Sequence, residues 1–211
     1  VPEFTPNQVR EARIAEMDRA AATGRVPATL LQRWESALED LDLFRFQPVV
    51  VHGNLVNGSI LELEGDVAGV VNWANLHIGD PAEDFVTFAA NLDSEPLDAV
   101  KFAYFERRDE ADANLAQRAT LYSELAVATY LVTSLTAGRI DDVEWAVSEL
   151  DTIAASVEDG SARVLSKVTF TSTTPIADEP IEELIVTDSH VIVTEEVIDE
   201  VDVSDLKTRP I

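Results

Sequence analysis

Cysteine is absent from this chain of 211 residues, and its absence excludes disulfides, thiolate metal sites and thiol catalysis; a reducing, cytoplasmic setting is the expectation. Basic charge is scarce. Fifteen Lys and Arg face 40 Asp and Glu, and the resulting net charge of −25 argues against a nucleic-acid or anionic-membrane partner. Long apolar runs are missing too: none approaches the ~20 residues that span a bilayer, and no basic-then-apolar signal segment opens the chain. The first residue is Val1 rather than Met, which suggests a piece processed or excised from a longer protein.

The 46% apolar content is enough for a folded body, and the patterning places it. Thr5-Pro6-Asn7-Gln8 reads as a capping box with proline at the first helical position, and Gly24 as a stop. A second helix follows Pro27, with Leu30, Trp34, Leu38 and Leu41 on one buried face. Val49-Val50-Val51 is a short strand ending at His52. Ile60 to Glu64 alternates, Gly65-Asp66 supplies a turn and Val67 to Val71 returns, so a small β-hairpin follows the segment from His52 to Ser59. Alternation sets Glu62 and Glu64 on one solvated face of that hairpin. Asp80-Pro81-Ala82-Glu83 is a second capping-box pattern, opening a helix that carries Phe85, Phe88 and Ala89. Asp84 is expected to face a loop or solvent.

The chain then reads as helical to about residue 158. Leu121 to Leu135 is apolar nearly all round and is expected to be a central buried helix, stopped by Gly138. Asp141 begins another, with Val143, Val147, Leu150, Ile153 and Val157 on one face. The fold class expected is mostly α with a small β-hairpin (α+β), over residues 1–160. Composition changes in 161–211, an acidic tail rich in Val, Ile and Thr: residues 178–205 hold eleven Asp and Glu and no Lys or Arg. Such a tail is either disordered or adds strands to a sheet edge.

The segment Val49–Phe85 resembles the C-terminal lobe of the aminoglycoside and macrolide phosphotransferases, choline-kinase-like proteins of the protein-kinase-like fold. The residues that carry the resemblance are His52-Gly53-Asn54-Leu55, Ser59, Val71-Asn72-Trp73, Gly79-Asp80-Pro81-Ala82 and Asp84-Phe85. Their order and spacing follow the family pattern, and the likeness extends over residues 5–158. The resemblance implies a base at position 54 and Mg²⁺ ligands at positions 59 and 72, where the family carries Asp, Asn and Asp. Here those positions hold Asn54, Ser59 and Asn72. An amide has no basic lone pair at neutral pH, and neutral oxygens suit Mg²⁺ poorly. His52 is expected to brace the loop, and Asp80 to cap a helix.

The family's smaller β-rich N-terminal lobe, with its phosphate-covering loop and Lys–Glu pair, has no counterpart before residue 49 and is expected upstream. The cofactors implied are ATP and Mg²⁺ if the family activity is retained, and none in this chain as it reads. Three functions stay open: a catalytically degenerate lobe that binds or regulates, an active ATP-dependent O-phosphotransferase with an atypical metal site, and an adaptor acting through the acidic tail. The partner expected is a small-molecule acceptor, or a protein met through the acidic tail.

Overall fold

A computed structural model of the chain describes residues 1–108 and 112–166. The expectations for the acidic tail beyond Ser166 lie outside the described residues.

Local sequence fixes the helical ends. Helix α1 (Pro6–Ala21) starts on a reciprocal capping box: the Gln8 amide donates to Thr5 Oγ1 at 3.3 Å, and the Thr5 amide to Gln8 Oε1 at 2.9 Å. Helix α2 (Ala28–Glu39) buries Leu30, Trp34, Ala37 and Leu38. It stops before Leu41, because Asp40 is extended; Leu41, expected on the buried face, is 64% exposed, while Leu43 and Phe44 turn inward in its place.

Helix α5 (Leu115–Thr136), reached through the short helices α3 (Val86–Asn91) and α4 (Ser94–Phe105), is the axis of the core. It packs on α1, on α3, on the 3₁₀ turn Pro81–Phe85 and on α6 (Ile140–Glu158). Leu115, Leu121, Leu125 and Leu131 are fully enclosed along its length. Its apolar character is broken by two buried charges, Arg118 and Glu124. Glu124 takes two hydrogen bonds from the Arg33 guanidinium at 2.9 and 3.1 Å and one from Trp34 Nε1 at 2.7 Å, which pins α2 to α5. Packing continues past Gly160: Leu165 is buried, and Arg163 donates to the carbonyls of Ala89 and Leu92.

Two small antiparallel pairs complete the α+β fold. Strands β1 (Val49–Val51) and β4 (His77–Gly79) pair in the register Val49↔Gly79, Val50↔Ile78 and Val51↔His77. The first residues of the chain add to the free edge of β4, with the Ile78 amide on the Pro2 carbonyl and the Phe4 amide on the Ile78 carbonyl, each at 2.8 Å. The hairpin of β2 (Ile60–Leu63) and β3 (Asp66–Val70) turns on Glu64-Gly65, one residue earlier than the sequence suggests. Both turn residues have positive φ (56° and 90°), the geometry whose twist suits a two-residue hairpin. Glu62 and Glu64 therefore do not share a strand face; both are exposed. Among the described residues no helix is long and apolar enough to cross a membrane.

Candidate functional site

The loop after β1 is held almost entirely through its backbone. The Asp84 carboxylate, from the 3₁₀ turn Pro81–Phe85, accepts the amide of His52 at 2.8 Å and that of Gly53 at 2.9 Å. Each is a charge-assisted bond, stronger than its neutral counterpart. Thr87 Oγ1 donates to the Leu55 carbonyl at 2.7 Å, and Ser59 Oγ to the Asn54 carbonyl at 3.3 Å. His52 is buried with both ring nitrogens engaged: Nδ1 accepts the Asn54 amide at 3.3 Å and Nε2 lies 2.8 Å from the Val71 carbonyl. A carbonyl only accepts, so Nε2 carries the proton and the ring is the neutral Nε2–H tautomer. Trp73 stands against that ring with centroids 4.7 Å apart.

Gly53 admits no side chain. Its φ is +76°, and a Cβ would lie 2.7 Å from the Asn75 carbonyl and 3.0 Å from the His77 ring. The loop is thus pressed onto the turn before β4 by a residue chosen for absence of bulk. Asn72 also adopts the left-handed region (φ 68°, ψ 40°), which asparagine tolerates better than most residues.

The positions singled out in the sequence diverge in setting. Asn54 and Asn72 are exposed. Ser59 is only 1% exposed, and its hydroxyl is directed at the loop's own backbone. Among the described residues no group of three or more His, Asp or Glu is placed to hold a metal ion.

Behind the loop lies a charge network that sequence reasoning missed. Asp80 accepts the Ala82 amide at 2.9 Å, as a capping residue should, but its carboxylate is also fully buried against Arg118 of α5. Arg118 uses all five guanidinium donors: Nε and Nη2 reach Asp80 at 2.7 and 2.9 Å, Nη1 reaches the Leu43 carbonyl at 2.9 Å, and Nη1 and Nη2 reach Asp112 at 3.2 and 2.5 Å. Burial works against its charge, but the two carboxylates outweigh that and hold its pKa above the ordinary arginine value. Tyr122 donates to Asp80 at 2.6 Å; burial first, and the Asp80 charge second, push its phenol well above the usual range. Glu83 does not turn back to close the capping box on Asp80. It faces Arg13 at 3.3 Å and His77 at 3.4 Å.

Beside the loop is a cavity of about 270 Å³, walled by Asn54 and Leu55, by Arg13 and Glu16 of α1, and by Glu83 and Tyr122. Arg13 ties its wall together, bridging Glu16 at 2.8 Å and Glu83 at 3.3 Å over the Tyr122 ring. Burial raises the Glu83 pKa from the ordinary glutamate value; Arg13 and His77 oppose the shift, and Asp80 and Asp84 add to it.

The comparisons with known proteins agree with this architecture. The model of the phosphotransferase enzyme family matches residues 2–120, more than half of the chain. The chain belongs to the phosphotransferase enzyme family. Among solved structures, the apoenzyme of macrolide 2′-phosphotransferase MphH from Brachybacterium faecium is 26% identical, with a TM-score of 0.60 over 71% of this chain and 50% of that one. A type I macrolide 2′-phosphotransferase is 25% identical, with a TM-score of 0.63 and the same coverage. The GDP complex of aminoglycoside 2′-phosphotransferase-IIIa shares the fold at 18% identity, with a TM-score of 0.61 over 74% of this chain and 54% of that one. This phosphotransferase-family chain spans about half the length of the solved relatives it matches. No curated protein matches. The family match takes in the His52 loop, Asp80 and Arg118, so the loop and the network that supports it lie within one family unit.

Proposed function

We propose that this phosphotransferase-family chain is a catalytically degenerate C-terminal lobe that binds a small molecule or a partner without transferring phosphate. The observation that carries this reading is the chemistry at three positions of one loop and turn. Asn54 stands where the family's base belongs and has no lone pair able to take a hydroxyl proton. Ser59 and Asn72 stand where Mg²⁺ ligands belong. The donor set does not suit a nucleotide-bound Mg²⁺: at position 72 a neutral amide stands in place of the carboxylate a hard dication prefers, and at position 59 a buried hydroxyl, already spent on the Asn54 carbonyl, stands in place of an amide oxygen.

What persists is the frame. Asp84, Thr87 and His52 hold the loop rigid, and the loop walls a cavity of about 270 Å³. That volume falls just below the ~300–1,000 Å³ common for ligand sites, so a small acceptor-like molecule suits it better than a large one. A test is transfer of labelled γ-phosphate from Mg–ATP to macrolides and aminoglycosides, by this chain and by any longer natural protein that contains it. No transfer above background is expected. Turnover that Asn72→Ala abolishes would overturn the proposal.

One observation favours a second reading, an active O-phosphotransferase with an atypical site. Glu83, a carboxylate with a raised pKa, lines the same cavity as Asn54. A base of raised pKa is what hydroxyl deprotonation near neutral pH asks for. In that case Glu83→Gln, and not Asn54→Ala, removes turnover.

A further inference from the structure

A second cavity lies away from the His52 loop. It measures about 570 Å³ and lies between the segment that leads into β1 and the end of α4. The two cavities share no lining residue. Three aromatic rings form part of its wall: Phe46 from the entry segment, and Tyr104 and Phe105 from α4. The Phe85, Tyr104 and Phe105 rings stack edge to face at 5.2 and 5.3 Å, so Tyr104 is fixed from both sides.

Its charge is opposite to that of the chain. Against a net −25, the lining includes the guanidinium groups of Arg45 and Arg108. Arg108 lies over the Tyr104 ring at 5.3 Å, and among the described residues no carboxylate pairs with it. Arg45 pairs with Asp42 at 2.9 Å, but both are largely exposed (80% and 72%), and an ion pair of that kind is readily exchanged for a better one. The single carboxylate in the lining, Asp112, is committed to the buried Arg118. Two arginines beside aromatic rings, one in an exposed ion pair and one without a carboxylate partner among the described residues, in a pocket of ordinary ligand size, define a chemistry: a planar apolar body carrying one anionic group.

We propose that this cavity is a second binding site, for a small aromatic acid, with the ring lodged against Phe46 and Tyr104 and the anionic group met by Arg45 and Arg108. The site is independent of whether the lobe transfers phosphate. Isothermal titration of the whole chain with 2-naphthoate tests it, with 2-naphthylmethanol as the uncharged match and inorganic phosphate as the anion without a ring. The site predicts one-to-one binding of 2-naphthoate, weaker by about tenfold or more in the double variant Arg45→Gln/Arg108→Gln, since each arginine supplies a charge-assisted hydrogen bond. Neither comparison compound should match the acid. The double variant Arg19→Gln/Arg25→Gln, which removes two exposed arginines elsewhere, should bind like the parent. The proposal is overturned if the parent does not bind, if the alcohol or phosphate binds as tightly, if the first double variant is unimpaired, or if the second loses as much.

Discussion

The residues that matter most here are those that hold the backbone still. Asp84 accepts two loop amides at once, and hydrogen bonds to a charged group contribute about 1.5–3 kcal/mol each. Asp84→Asn, which keeps one acceptor and sets an amide NH₂ against the other N–H, should cost about 2 kcal/mol in urea denaturation; a loss under about 0.5 kcal/mol would mean the clamp does little. Tyr122 gives a pH signature. Its folded pKa is raised, so the stability it contributes is complete below the phenol's unfolded value and is lost as pH rises through the folded one. Stability should therefore fall on the alkaline side of about pH 10, and Tyr122→Phe should flatten that limb in a pH series of melting curves. Glu83, shifted in the same direction, should make stability decline from about pH 4.5 upward through its own folded value, a slope that Glu83→Gln removes.

At the scale of elements, what the sequence revealed depends on range. Caps, helix stops and helical faces are written in neighbouring residues, and α1, α2, α5 and α6 were legible from Thr5, Pro27, Gly138 and the apolar spacing. The pairing of β1 with β4, and the addition of residues 2–4 to its edge, could not be read because each joins segments far apart in the chain. The same holds for the site. Asn54, Ser59 and Asn72 were singled out by a resemblance carried in neighbouring residues, whereas the clamp by Asp84 and the Asp80–Arg118 bridge depend on partners 31 to 38 residues away. The available signal was a lone arginine and a lone glutamate in the apolar stretch of α5; a charge on an otherwise buried helix calls for a partner. Leu41 shows the opposite failure, where helical spacing was carried two residues past the end of α2. The contrast is measurable: Leu38→Ala should cost about 2–5 kcal/mol and Leu41→Ala less than about 0.5 kcal/mol in denaturant melts. Equal costs would contradict the register described here.

For the molecule as a whole, acidity is the dominant property. A net charge of −25 on 211 residues means mutual repulsion that added salt screens. Raising NaCl from about 0.05 M to about 0.5 M should raise Tm, and a fall would show that particular ion pairs outweigh the general repulsion. The fold is that of the phosphotransferase family, and ancestry alone does not assign a reaction to it. The central claim of the proposed function is that Ser59 and Asn72, at the two positions where Mg²⁺ ligands are expected, do not hold a nucleotide-bound Mg²⁺. Its most direct test is the thermal shift that ATP produces with and without Mg²⁺, read as the stabilisation expected for a bound ligand, in this chain and in any longer natural protein that contains it. The account predicts that Mg²⁺ adds nothing to whatever shift ATP gives. A Mg²⁺-dependent shift that disappears in Asn72→Ala would contradict it.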